Sequence, residues 1–251
     1  METKINRIAI MCIDARMNQV ADRMNDGKTV FVRTAAGNPP GVSTTLETLI
    51  SKYPITQITY IPHTDCGACK FTHSLLKNKG NSTQEIEHNL VSTMRSYAKG
   101  NYSNICGSPE DLELKLKELG TEFILKKFPA LKLETRLEDT STPVTGQKTL
   151  VLLRPSERKY SEICNSLNIP EGSTYISQHY NLSEAICDAQ LSISALHITK
   201  LIVGITENEE RSKIEDEVAI LGDSIRPITM GTDVNILIEE LQTAQERTRL
   251  Y

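Results

Sequence analysis

The chain is predicted to be an α/β protein, a mainly parallel β-sheet flanked by helices. Short apolar runs recur along it, and stretches with helical spacing of apolar residues separate them. The absence of Trp and the presence of only four Phe leave a core of Ile, Leu, Val and Ala, which suits strands buried between helices. Two of the apolar runs stop abruptly at residues able to do chemistry, as strands do where a parallel sheet gathers its functional loops.

Taken in order, residues 6–12 (NRIAIMC) read as a buried strand that opens into the polar IDAR. Residues 16–26 look helical, and 28–34 (KTVFVRT) form a second strand. Residues 35–41 (AAGNPPG) make a loop of small residues and proline. Residues 43–53 place an N-cap hydroxyl ahead of a helical apolar spacing. The third strand, 57–63 (QITYIPH), ends in HTDCGACK. Residues 70–128 are polar and helical in pattern, with a looser connection at 101–107. Residues 129–140 read as a strand, and 141–147 (STPVTGQ) as a linker.

Beyond the linker the order of elements repeats. Residues 148–154, 173–178, 182–198 and 199–210 fall into step with the first strand, the second strand, the helix at 43–53 and the third strand, at an offset of about 143 residues. The reading is a duplicated unit, with one copy at 1–145 and a degenerate one at 146–251. The second copy offers Arg154 or Pro155, Ser156 and Arg158 where the first has Cys12, Asp14 and Arg16, and Thr206 and Glu209 where the first has His63 and Cys66.

A net charge of -4 with no block of Lys and Arg argues against a nucleic-acid surface or a membrane-binding stripe. The opening apolar run is too short for a signal peptide or a membrane span, so a cytoplasmic protein is expected. Six cysteines in such a chain suit thiols or metal ligands better than a disulfide framework.

Thiolate and imidazole are ligands that Zn²⁺ prefers. Cys66 follows His63 by three residues, so a turn after a strand can aim both at one point, and Cys12 comes from another strand end. Three protein ligands leave a fourth tetrahedral position open, as a catalytic zinc requires and a structural one does not. Asp14 and Arg16 follow Cys12 in CIDAR. A carboxylate beside an open metal can orient a reacting water or can block the metal, and a bidentate Arg decides between these outcomes.

CIDAR, then VRTAAGN, then HTDCG resembles the signature of the β class of carbonic anhydrases: C-x-D-x-R, an R-N-A-G loop, and H-x-x-C-G. The resemblance covers roughly residues 6–70 and implies one zinc per chain on Cys12, His63 and Cys66. It further implies an Asp14–Arg16 catalytic dyad, and hydration of carbon dioxide to bicarbonate by a zinc-bound hydroxide. The family's protomers pair so that active sites lie near the interface. The degenerate half is therefore expected to stand in for a partner as an internal pseudo-dimer, with Gln178 or Tyr180 near the pocket; a homo-oligomer is a further option. Gly37 and Asn38 are expected to shape the substrate pocket, although Arg33-Thr34-Ala35-Ala36-Gly37-Asn38 has one residue more than the family loop and Thr34 in place of its Asn.

Two other readings keep the same residues. Carbon disulfide or carbonyl sulfide can replace carbon dioxide at such a site, and a relative can retain zinc without turnover. Cys66 and Cys69 also form C-G-A-C, a possible redox dithiol, which leaves Cys12, His63 and the dyad unexplained; Cys69 is otherwise a spare thiol or a fourth ligand. Cys106, Cys164 and Cys187 read as packing residues, and His73, His88, His179 and His197 as surface or packing residues.

Overall fold

A computed structural model describes residues 5–77, 89–98, 107–205, 211–225 and 234–240. The chain is α/β, with two four-stranded parallel sheets flanked by helices. In the first half, β1 (Arg7–Cys12), β2 (Thr29–Thr34), β3 (Gln57–Ile61) and β4 (Lys132–Thr135) pair in the order β2-β1-β3-β4. Helices α1 (Asn18–Met24), α2 (Ser43–Lys52), α3 (Gly67–Lys77), α4 (Asn89–Ala98) and α5 (Pro109–Lys127) connect them. In the second half, β5 (Thr149–Leu153), β6 (Thr174–Gln178), β7 (Lys200–Ile205) and β8 (Asn235–Glu240) pair in the order β6-β5-β7-β8. Their helices are α6 (Tyr160–Ser166), α7 (Leu182–Leu196) and α8 (Arg211–Ile225).

The two sheets thus share one strand order, and each helix–strand alternation produces the parallel pairing that crossover connections require. Period-two alternation sends successive side chains of β1 and β2 to opposite faces. Ile8, Ile10, Val30 and Val32 pack with Leu46 and Leu49 of α2 and Ile124 of α5. Ala9, Met11 and Phe31 face the other way, into a core that also holds Leu150, Ile176 and Tyr160 of the second half.

That shared core joins the halves. Ile176 N donates to Ile13 O at 3.0 Å, and Asn18 Nδ2 donates to the carbonyls of Glu171 and Thr174 at 3.0 Å each. Asp22 accepts from the amides of Tyr160 and Ser161, where α6 begins. Residues 141–147 run between the halves without helix or strand, mostly exposed.

The strand expected at 129–140 is shorter: β4 ends at Thr135, and pairing resumes only at a bridge between His63 and Glu138. The third strand likewise stops at Ile61, short of His63. Among the described residues no helix is long and apolar enough to cross a membrane.

Candidate metal centre

In a sheet ordered 2-1-3-4 the chain changes direction between the first and third strands, and the crevice beyond their carboxyl ends is where ligands collect. Cys12 is the last residue of β1, and His63 and Cys66 lie on the turn between β3 and α3. Their ligand atoms all fall within 4.8 Å of one another, and all three residues are buried. The two sulfurs are 3.9 Å apart. Cys12, His63 and Cys66 therefore form a group that can hold a metal ion.

The imidazole is set for that role. His63 Nδ1 lies 2.9 Å from the carbonyl oxygen of Thr64, which only accepts, so in the neutral ring the proton sits on Nδ1. Thr140 Oγ1 donates its own hydrogen to that carbonyl at 2.6 Å and lies 2.8 Å from Nδ1. Nε2 is left with a bare lone pair, buried and without a hydrogen-bond partner. A ring fixed through one nitrogen and bare at the other is the usual state of a metal-ligating histidine.

Burial and the neighbouring thiols act together on the two cysteines. Burial pushes Cys12 well above the ordinary thiol value, and the adjacent Cys66 adds to the shift. For Cys66 the Cys12 thiol pulls downward, but the neighbouring Cys69 and burial outweigh it. Burial disfavours the His63 imidazolium, whereas Cys12 and Asp14 favour it by more, so the His63 pKa is raised.

Asp14 and Arg16 form a fixed pair. Asp14 caps a 3₁₀ turn at Ala15–Met17, accepting from Arg16 N at 3.0 Å. It also accepts from Arg16 Nε at 2.9 Å and Nη2 at 2.7 Å. The remaining guanidinium hydrogens go to Asp65 Oδ2 at 2.9 Å, Asp65 O at 2.8 Å and the Thr140 carbonyl. All of the donors of Arg16 are used, so it cannot swing. Burial raises the Asp14 carboxyl, but Arg16 and the neighbouring His63 lower it by more, and the net shift is downward. Asp14 stands outside the ligand cluster.

Further residues support the site, Arg33 from the VRTAAGN motif and the others without a local signal in the sequence. Arg33, fully buried, donates from Nε to Cys12 O at 2.9 Å and from Nη2 to Asp14 O at 2.7 Å. Its third partner is Asn18, and its guanidinium lies 4.7 Å above the Tyr160 ring. Glu113 of α5 accepts from Cys66 N at 2.6 Å. Tyr175 of β6 is buried, and its neighbour Ile176 donates from N to Ile13 O, between Cys12 and Asp14, at 3.0 Å, so the second half packs against the segment that carries this site.

Gly37 and Asn38 serve the frame. Ala36 and Gly37 have φ of 57° and 62°, and a Cβ on Gly37 would meet Met11 C at 3.2 Å and Cys12 N at 3.3 Å. Asn38 donates from Nδ2 to Thr93 of α4 at 3.2 Å. Gln178 accepts from the Tyr160 hydroxyl within the interface, and Tyr180 N donates to Thr45 Oγ1 at 2.9 Å, against α2. Cys69 is buried beside Cys66 but stands outside the ligand cluster. Cys164 and His73 are buried, Cys187 is half-buried on α7, and His197 is an exposed left-handed cap at the end of α7. His179, expected at a surface or in ordinary packing, lies in a buried charged network between the halves. Cys106, His88, Thr206 and Glu209 lie outside the described residues.

The chain matches no protein-family model and no curated protein.

Proposed function

We propose that this chain is a zinc enzyme that hydrates carbon dioxide reversibly to bicarbonate, with Cys12, His63 and Cys66 as the ligands. The observation that carries the reading is the division of labour around the cluster. Three buried ligand atoms lie within 4.8 Å of one another, while the nearby carboxylate is held off them by an arginine with no donor to spare. Two thiols and one imidazole suit zinc and leave a tetrahedral position open. Zinc, when bound, supplies a Lewis acid that brings the pKa of a coordinated water to about 7.

Asp14 orients the reacting water. Its two oxygens offer about four acceptor sites, and Arg16 occupies three of them, leaving one for a water hydrogen. Arg16 keeps Asp14 ionised and prevents it from turning onto the cluster. Arg33 holds the carbonyls of Cys12 and Asp14 together, so ligand and orienting group move as one unit. Thr64 and Thr140 keep the proton of His63 on Nδ1.

The test is Asp14→Asn with metal content and hydration rate measured on one preparation. Zinc is expected to stay at one per chain while turnover falls roughly a hundredfold or more, as when a preorganised polar group is lost from a site. Full turnover in the variant would sink the dyad assignment. Parallel assays with carbonyl sulfide and carbon disulfide fix the substrate.

A further inference from the structure

The zinc reading leaves the C-G-A-C run at 66–69 half used. Cys66 joins the ligand cluster and Cys69 does not, although each is only 2% exposed. Cys66 immediately precedes α3, and Cys69 is the third residue of that helix. Lys70 N donates to Cys66 O at 3.0 Å, which closes the first helical turn across the pair. Residues three apart on such a turn have Cα atoms about 5 Å apart, inside the roughly 4.4–6.8 Å that a disulfide spans. The Cys69 thiol and amide both bear on the Cys66 sulfur.

The backbone of this turn is fixed, so closing a bond between the two sulfurs asks only for side-chain rotation. Cys66 N donates to Glu113 Oε1 at 2.6 Å. A Cβ on Gly67 would meet Leu196 Cδ2 at 3.1 Å, which shows how closely the start of α3 packs on α7. The Cys12 sulfur is also near, at 3.9 Å, but it belongs to another element. Its residue is paired in β1, and its carbonyl is held by Arg33 Nε. A bond to Cys12 has to draw a strand end and a helix start together, whereas a bond to Cys69 stays within one turn.

We propose that Cys66 and Cys69 form a redox dithiol that shares Cys66 with the metal, so that the disulfide and the bound metal exclude each other. This rests on Cys66 being a metal ligand and not on the identity of the substrate. The oxidant is a peroxide, small enough to reach buried thiols. The Cys66 sulfur attacks one peroxide oxygen, the O–O bond breaks, and Cys66 becomes a sulfenic acid as water leaves. The Cys69 sulfur then attacks the Cys66 sulfur. The S–S bond forms, the S–O bond breaks, and the hydroxyl departs with the Cys69 proton as a second water. Each sulfur gives up one electron, and the peroxide takes both. The thiolate is the form that binds metal, and a sulfur in a disulfide has none to offer. Cys12 and His63 alone are too few for zinc, which takes three or four protein ligands.

The test uses the full chain, freed of metal with a chelator, treated with one equivalent of hydrogen peroxide, alkylated and digested with trypsin. Residues 53–70 make one peptide, with Cys66 and Cys69 as its cysteines. Mass spectrometry is expected to find it unalkylated and lighter by two hydrogens. The oxidised chain is expected to take up no stoichiometric zinc, and dithiothreitol is expected to restore the uptake. Protein loaded with zinc before the peroxide should keep both thiols. Cys69→Ser is expected to bind zinc as the parent chain does and never to give the lighter peptide. Cys66 joined to Cys12, no disulfide at all, an oxidised chain that still takes one zinc, or zinc lost from Cys69→Ser would each overturn the proposal. A reduced chain that binds no zinc would sink the metal reading and the sharing with it, and the peptide at 53–70 tells that result from a failure of the dithiol.

Discussion

Two buried thiols face each other across 3.9 Å at the ligand cluster, and both are held well above the ordinary thiol value when no cation is present. Metal binding must then displace both protons, and about two are expected to be released per metal at pH 8. Calorimetry in buffers of different ionisation enthalpy measures this; release of fewer than one would mean that the sulfurs are not both ligands. Cys66→Ala and His63→Ala should each lose stoichiometric metal, read by elemental analysis after dialysis. The clustered residues and the Asp14–Arg16 pair were legible in the sequence because each motif is local: Cys12, Asp14 and Arg16 fall within five residues, and His63 and Cys66 within four. Thr140 and Glu113 were not legible. Each meets the site from a distant part of the chain, Glu113 at Cys66 N and Thr140 at His63 Nδ1, the Thr64 carbonyl and Arg16.

Among the elements, α5 is fixed against β3 by a glycine that helix preference alone would replace. A Cβ at Gly120 would lie 2.8 Å from the Tyr60 ring and 2.9 Å from Pro39 Cδ, and Tyr60 is fully buried with its hydroxyl on Leu116 O. Alanine gains about 1 kcal/mol of helix propensity at such a position. Overpacking a rigid core costs about 1–3 kcal/mol, and the backbone and ring here have nowhere to move. Gly120→Ala is therefore expected to lower stability in urea unfolding, and a more stable variant would refute the packing argument. Strands β1 to β3 could be read ahead because their apolar runs are short and sharply bounded. The strand at 129–140 was overread: KLET is all that pairs with β3 before the chain turns to bring Glu138 and Thr140 to the site.

The halves meet through a charged network at the scale of the whole molecule. Asp188 of α7 accepts from Thr34 Oγ1 and Ala35 N of the first half, and from Ser177 Oγ and His179 Nε2 of the second. Glu184 accepts from Thr44 N and Thr45 Oγ1. His179 is raised from 6.5 to about 9 in the fold, so its contribution to stability is complete below pH 6.5 and is lost as pH rises through 9. Unfolding free energy measured from pH 6 to pH 10 should fall across that window, and the fall should vanish in His179→Gln. The repeating element order showed in the sequence as apolar periodicity, and two sheets of one strand order accord with the proposed duplication. The interface did not show, because its polar partners lie about 150 residues apart and pair only when both halves are folded. The most direct test of the central claim is stopped-flow hydration of carbon dioxide at neutral and alkaline pH, with zinc counted on the same sample. The expected result is one zinc per chain and hydration far above background, lost with the metal. One zinc per chain with no hydration at either pH would contradict it.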